Sequence, residues 1–293
     1  MHILISGSGG LLGVHLSRHL AAQGHTITAL VRRDTARTNT VLWQPTEGKI
    51  GRLDHVDAVI HLAGESINGL WTKKKKRAIA DSRVLGTSLL ARTLAELEKP
   101  PAVLLCASAA GYYGHRGEEI VDEDSRNGDD FLAQVCRQWE EACRPAVERG
   151  IRVVHMRLAA VLAREGGMLH TILPVFRWGL GGRLGSGQQW MSWIALQDAV
   201  AAVTFLLQHS LHGPVNLCAP EPVRNAEFTR LLAGLLHRPA LVRVPAWVLR
   251  LVLGELAEAL LLSSSRLKPA RLQAAGFQFK YATMQTALSS ILY

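Results

Sequence analysis

Cysteine is scarce in this chain. Its four cysteines (Cys106, Cys136, Cys143 and Cys218) are too few and too scattered for a disulfide framework. No pair has Cys-x-x-Cys spacing, which excludes the common zinc and dithiol redox motifs. Long uncharged apolar runs are missing too. The most apolar late stretch, Val248 to Leu262, is interrupted by Arg250, Glu255 and Glu258, so it is too charged and too short to span a bilayer. A strand pattern opens the chain at once, which leaves no room for a secretory signal, and a cytoplasmic location is expected. There is no internal repeat, no low-complexity tract and no DNA-reading motif. The histidines form no group with metal-ligand spacing, so no metal is expected.

Acidic residues are outnumbered, 24 against 33 Lys and Arg, giving a formal net charge of +9 and a pI near 9.8. Such a balance suits nucleic acid, an anionic membrane surface or anionic small molecules. The one dense run, Lys73-Lys74-Lys75-Lys76-Arg77, opens a helical pattern and reads as a solvated helix face. It lacks the interleaved aromatics of a nucleic-acid groove. A small-molecule substrate is therefore expected, with no nucleic-acid and no membrane partner. The oligomeric state is left open.

What is present is alternation. Strand-length apolar runs occur at Ile3–Ile5, Thr26–Val31, Ala58–Leu62, Ala102–Ala107, Arg152–Met156 and Val215–Leu217. Helical patterns lie between and after them, at Leu11–Gln23, Lys73–Glu98, Asp130–Arg149, Leu196–His209, Asn225–His237 and Ala246–Leu262. With 48% hydrophobic residues the chain can fill a large core. The order predicts an α/β protein with a Rossmann-type doubly wound parallel sheet. Residues 1–217 are expected to form that domain. A smaller substrate lobe is expected from the Gly-rich, irregular stretch 165–195 and from residues after 217. Residues 245–293 read as a short C-terminal appendage.

Residues 1–13 combine a buried strand, a glycine cluster and the start of a helix. Gly7, Ser8, Gly9 and Gly10 form the turn; Leu11, Leu12 and Gly13 begin the helix. Free N–H groups and the helix dipole at such a point hold a pyrophosphate, and glycines let the backbone approach it. After the second strand an NAD site would carry an acid. Here Arg32 and Arg33 come first, and no acid occurs until Asp34. Guanidinium groups at that place suit a 2′-phosphate, so NADP(H) is the expected cofactor. Leu62, Ala63, Gly64 and Glu65 follow another strand, and small residues there let a cofactor lie against backbone. Ala107 is counted with these cofactor-facing positions. His61 and His155 lie within strands and read as satisfied core histidines.

Gly7-x-x-Gly10-x-x-Gly13 and Asp57-Ala58-Val59-Ile60-His61-Leu62-Ala63-Gly64 resemble the extended short-chain dehydrogenase/reductases. Further stretches resemble one atypical subgroup, the "epimerase family protein" or NAD-dependent epimerase/dehydratase type. They are Ser108-Ala109-Ala110-Gly111-Tyr112-Tyr113-Gly114, Trp139-Glu140, Gly181-Gly182-x-x-Gly185-Ser186-Gly187, Ser192-Trp193-Ile194, Gly213-Pro214-Val215-Asn216-Leu217 and Ala275-Gly276-Phe277-x-Phe279. The resemblance covers essentially the whole chain. It implies a Rossmann-type domain, a small substrate lobe, bound NADP(H) and a C-terminal domain of unassigned role. It implies no particular substrate.

In that superfamily a Tyr-x-x-x-Lys pair on the helix after the fifth strand moves the proton. The matching helix here offers Phe131 and Val135 in one register, or Leu132 and Cys136 in the register aligned on Glu140. Neither supplies a phenol or an ammonium. Ser108 matches the family serine that bonds a substrate oxygen. Tyr112 and Tyr113 follow it and are the replacement candidates for the acid. Arg83 takes the place of a helix asparagine and is read as holding an anionic group. Arg177, Arg183, Gln188, Gln189, Trp190 and Trp193 are expected to line a substrate pocket, because arginines with flat aromatics suit an anionic ring compound. Two readings stand at this point. One is an NADP(H)-dependent oxidoreductase or epimerase acting by hydride transfer on an anionic or sugar-like substrate. The other is a non-catalytic NADP(H)-binding regulator or scaffold.

Overall fold

Residues 1–33, 38–53 and 55–293 are described by a computed structural model of the chain; Asp34 lies outside them. The main sheet has eight strands. They are β1 (His2–Ser6), β2 (Thr26–Val31), β3 (Thr40–Gln44), β4 (Lys49–Ile50), β5 (Ala58–His61), β6 (Val103–Ala109), β7 (Arg152–Leu158) and β8 (Gly213–Leu217). Their spatial order is β8-β7-β6-β5-β1-β2-β3-β4, parallel throughout except for β4, which runs antiparallel to β3. The chain winds outward in both directions from β1, so the order reverses between β1 and β5. Ligands of open parallel sheets bind at the carboxyl ends of the strands flanking such a switch point.

Alternate residues of each strand face opposite layers. Ile3, Ile5, Ile60, Leu105 and Val154 pack on α1 (Leu11–Ala22) and on a later helix through Leu16, Leu20, Val203 and Leu206. Leu4, Val59, Leu104, Cys106 and Val153 face the other layer. There they meet Leu90 and Leu94 of α2 (Lys73–Glu96) and Trp139 of α3 (Phe131–Glu141). Strands buried on both faces explain the continuous apolar runs in the sequence.

The expected helix Asp130–Arg149 is two helices, α3 and α4 (Arg144–Glu148). Pro145 has no N–H to continue the ladder and its ring would crowd the preceding turn. The stretch expected to be irregular contains α5 (Gly167–Arg177), which keeps its helix with Pro174 inside. Further along the chain come α6 (Leu196–Gln208) and α7 (Asn225–Leu235). The expected helix Ala246–Leu262 stops as α8 (Ala246–Leu253) at Gly254, whose φ of 57° ends it, and resumes as a π-type turn over Ala257–Leu262. Two helices, α9 (Ala270–Ala274) and α10 (Met284–Leu292), complete the chain.

The lobe has its own core. Leu169, Leu173 and Phe176 of α5 meet Phe228 and Leu232 of α7 around Trp193. Met284, Leu288 and Ile291 of α10 join the same cluster, while Leu272 and Phe277 insert into the core of the main sheet. The C-terminal segment therefore ties the lobe to the sheet.

Candidate functional site

The switch point carries the glycine turn. Gly7 has a φ of 70°, and a Cβ there would lie 2.8 Å from the Ala63 nitrogen; a Cβ at Gly13 would lie 2.2 Å from the Gly7 oxygen. The chain itself demands these two glycines, one for its left-handed backbone and both for close approach. Gly9 and Gly10 differ. A Cβ at Gly9 would meet nothing within 4 Å, and one at Gly10 only the Gly7 oxygen at 3.3 Å. Open space lies above this stretch, at the N-terminus of α1. That helix has no side-chain cap and no acid in its first turn. Unused N–H groups beside a cradle that side chains would fill suit a pyrophosphate.

A buried relay fixes the two loops that flank the cradle. Ser6 Oγ accepts the Leu62 and Ala63 N–H groups at 3.1 and 3.2 Å. Its own hydrogen therefore goes to His61 Nδ1, 2.6 Å away. His61 then carries its proton on Nε2 and donates it to Thr87 Oγ1 at 2.9 Å. Complete burial lowers the His61 pKa to about 4, so the ring is neutral. His61 is thus a satisfied core histidine, as its strand position implies. His155 is less enclosed, and its Nδ1 has no hydrogen-bond partner among the described residues.

Basic groups gather along the rim. Arg32 and Arg33 follow β2 and are exposed. Glu65 lies in the field of Arg32, Arg83 and Lys75, and its bond from Lys75 (Nζ to Oε1, 2.7 Å) leads the causes holding its carboxyl below the usual range. Arg83 Nη1 donates to the Glu65 and Ile79 carbonyls at 3.0 and 3.1 Å. Gly64 leaves the room this guanidinium needs, since a Cβ there would be 3.2 Å from Arg83 Cζ. Burial is the largest influence on the Arg83 pKa and lowers it; Cys136 and Glu65 act in the opposite direction. The Arg83 ion thus stands beside Cys136, which occupies the family lysine's place in the register aligned on Glu140. The lysine run is not simply a solvated face. Lys75 pairs with Glu65 and Lys76 with Glu255 of the lobe, at 2.7 and 2.8 Å.

Of the three candidate catalytic groups, Ser108 and Tyr113 are buried. Ser108, Arg157 and Asn216 are register partners in a row across β6, β7 and β8. Ser108 is 2% exposed, and its hydroxyl donates to Glu140 Oε1 at 2.7 Å. Arg157 forks onto both oxygens of that carboxylate, Nε to Oε1 and Nη2 to Oε2, each at 2.9 Å. Arg157 Nη1 also donates to the Tyr113 hydroxyl, which donates to Asn216 Oδ1 at 2.7 Å. Tyr113 is fully buried, and desolvation raises its pKa. Ser108 and Tyr113 are therefore members of a buried ion-pair network. Tyr112 is half-buried. The Arg157 guanidinium lies 3.4 Å from its ring centroid, and its hydroxyl has no hydrogen-bond partner among the described residues. Glu140 and Arg157 were not recognised as functional from the sequence. Neither sits in a spacing that announces an ion pair, and only the packing of α3 against the sheet brings them together.

The expected pocket in the lobe is also redistributed. Trp193 is fully buried, with its Nε1 donating to the Glu221 carbonyl. Gln189 is buried and braces the Leu184 and Leu261 carbonyls. Arg177 is on the outer surface. Trp190 lies between the Arg224 and Arg266 guanidinium groups, 4.5 and 4.3 Å from its centroid, and bonds Glu118. Arg183 is half-buried, with its Nε unpartnered among the described residues. Among the described residues, no group of His, Cys, Asp or Glu is placed to hold a metal ion.

Residues 3–218 match the NAD dependent epimerase/dehydratase family, and residues 244–291 match a domain of unknown function, DUF1731. An "epimerase family protein" of Mycobacterium bovis, Mb2239, is 43% identical over 290 residues, covering 98% of this chain and 96% of its own. The "epimerase family protein" YfhF of Bacillus subtilis is 36% identical over 299 residues, covering 100% and 98%. A crystal structure of human "epimerase family protein SDR39U1 (isoform2) with NADPH" superposes with a TM-score of 0.92 at 32% identity, covering 99% of both chains.

Proposed function

Because this chain belongs to the NAD dependent epimerase/dehydratase family, we propose that it binds NADP(H) across the β1–β5 switch point and acts as an oxidoreductase or epimerase. The open cradle at Gly9 carries this reading, since a Cβ there would meet nothing within 4 Å and the chain itself needs no glycine at that position. The turn and the α1 N-terminus hold the pyrophosphate, and Arg32 and Arg33 hold the 2′-phosphate. The human relative crystallised with NADPH supports the choice of phosphorylated cofactor. Leu62, Ala63, Gly64 and Ala107 give the cofactor a wall of backbone and small side chains.

When bound, the cofactor supplies or accepts a hydride. The chain's own residues hold the substrate and move the proton. Arg83 provides the fixed positive charge that a lysine provides elsewhere in the superfamily, and it faces an anionic or carbonyl oxygen. Tyr112 is the phenol left free to exchange a proton at its hydroxyl. An anionic or sugar-like carbonyl compound fits the basic rim. The test is to titrate the protein with NADPH and NADH, then add pooled small carbonyl metabolites and follow NADPH absorbance. Tight NADPH binding with consumption supports the enzyme.

A second reading has its own observation. Ser108 and Tyr113 are both committed to the Glu140–Arg157 network, and α3 offers neither Tyr nor Lys. A non-catalytic NADP(H)-binding regulator accommodates this. Tight binding without consumption of NADPH by any carbonyl or oxidation of a hydroxyl would favour it.

A further inference from the structure

Large apolar side chains are exposed on adjoining segments of the lobe. Trp178 is 82% exposed, Leu241 85%, Trp247 66% and Leu251 79%; Leu180 and Val252 are exposed beside them. Their elements are neighbours. The strand Gly182–Leu184 pairs with Val242–Val244. Just before it, Arg238 Nε donates to the Arg177 carbonyl at 2.9 Å. Pro245 then leads directly into α8, on which Trp247 and Leu251 share a face one turn apart while Leu249 is buried. Single exposed hydrophobics are ordinary in a folded protein. Six large ones on adjoining segments mark a contact surface.

The charge around them is mostly positive, with Glu255 and Glu258 at its edge paired to Lys76 and Arg250. Residues 166–197 and 228–254, which supply this surface, contain no Asp or Glu at all. They contain Arg177, Arg238 and Arg243, each exposed and with no acidic partner among the described residues. Arg250 is the exception, paired with Glu258. Tryptophan and leucine among unpaired arginines match the chemistry of an anionic lipid surface: rings and aliphatic chains enter the headgroup boundary while guanidinium groups meet the phosphates. A second copy of the same face would bring Arg177, Arg238 and Arg243 against their own kind, so charge complementarity favours lipid over self-association. Among the described residues no helix is long and apolar enough to cross a membrane, so the contact is peripheral.

We propose that this face of the lobe docks the protein on an anionic bilayer surface. The proposal stands apart from the cofactor reading, because none of these residues is among those assigned to hold the cofactor. It also departs from the expectation of no membrane partner, which rested on the absence of a span and on the lysine run elsewhere.

The test uses the full chain and vesicles of phosphatidylcholine alone or mixed with phosphatidylglycerol. Co-sedimentation is expected only with the mixed vesicles, weakening as salt rises, with a blue shift of tryptophan emission. Trp247→Glu with Leu251→Glu should abolish it. Arg177→Gln, Arg238→Gln and Arg243→Gln should each weaken it by about fivefold. All these variants should keep the wild-type thermal transition and NADPH affinity, so failure of the lipid proposal would leave the cofactor reading standing. Protein that stays in the supernatant with both vesicle types would overturn the proposal. So would equal binding by wild type and the Trp247/Leu251 variant. A vesicle-independent dimer that the same variant disperses, with no sedimentation, would overturn it in favour of a second copy.

Discussion

Ser108 and Glu140 are joined by a 2.7 Å hydrogen bond, and the same carboxylate is gripped at both oxygens by Arg157. A serine at a place suited to holding a substrate oxygen is thus turned into the interior, toward a side chain of α3. The Arg157 and Glu140 side chains are only 3% and 12% exposed. This pair therefore stabilises through geometry and complete hydrogen bonding, and it matters most when half of it is removed.

Arg157→Met should destabilise the fold by about 3–5 kcal/mol, because it leaves Glu140 as a buried charge without its partner. Arg157→Met combined with Glu140→Leu should recover much of that loss. Urea denaturation of the two variants checks this. A double variant as unstable as the single one would show that the ion pair is not the source of the effect.

Tyr112 and Tyr113 should behave oppositely on replacement by Phe. Tyr112→Phe is expected to lower turnover by about 10²–10⁴-fold with NADPH affinity and stability unchanged. Tyr113→Phe strips a partner from Arg157 and Asn216 and should cost about 1–3 kcal/mol of stability. Turnover and thermal melts on both proteins separate the roles; unchanged turnover in Tyr112→Phe would remove it as the proton donor.

NADPH should bind roughly tenfold to a hundredfold more tightly than NADH, the difference made by charged hydrogen bonds to the 2′-phosphate. Arg32→Ala should abolish most of that preference while leaving NADH affinity nearly unchanged. Calorimetric titration with both cofactors measures it, and equal affinities in the native protein would contradict the assignment.

Gly10 and Gly13 should fail differently. Gly10→Val places a side chain in the open cradle and should abolish NADPH binding with a cooperative thermal transition retained. Gly13→Val drives a Cβ into the Gly7 oxygen, 2.2 Å away, and should destabilise the fold itself. Fluorescence titration and melting curves on both variants distinguish a ligand cradle from a packing contact.

His61 makes stability depend on pH. Its folded pKa of about 4 lies below the ordinary histidine value of 6.5, so the unfolded chain binds the extra proton first as pH falls. The neutral ring's contribution is fully present above pH 6.5 and is lost as pH falls through the window down to about 4. That loss is about 3 kcal/mol at most. In His61→Gln, whose amide can still bridge Ser6 and Thr87, this part of the acid sensitivity should disappear. Denaturant midpoints taken across that window for both proteins test the sign.

The sequence by itself determined the layers and the glycine turn after β1. Strands buried on both faces must be nearly continuous in apolar residues, and a glycine turn between such a strand and a helix has one principal use. Both signals are local, so β1, β2 and α1 were legible. Tertiary structure alone decided the chemistry of the other end. Strand register, a relation between residues far apart in the chain, set Ser108 beside Arg157 and Asn216, and the packing of α3 brought Glu140 to Ser108 and Arg157. The break at Pro145, the helix running through Pro174 and the burial of Trp193 likewise depend on what packs against each segment. The same packing left Trp178, Leu241 and Trp247 uncovered. A hydrophobic residue is written identically whether the fold buries it or leaves it facing outward, and only the folded chain tells them apart.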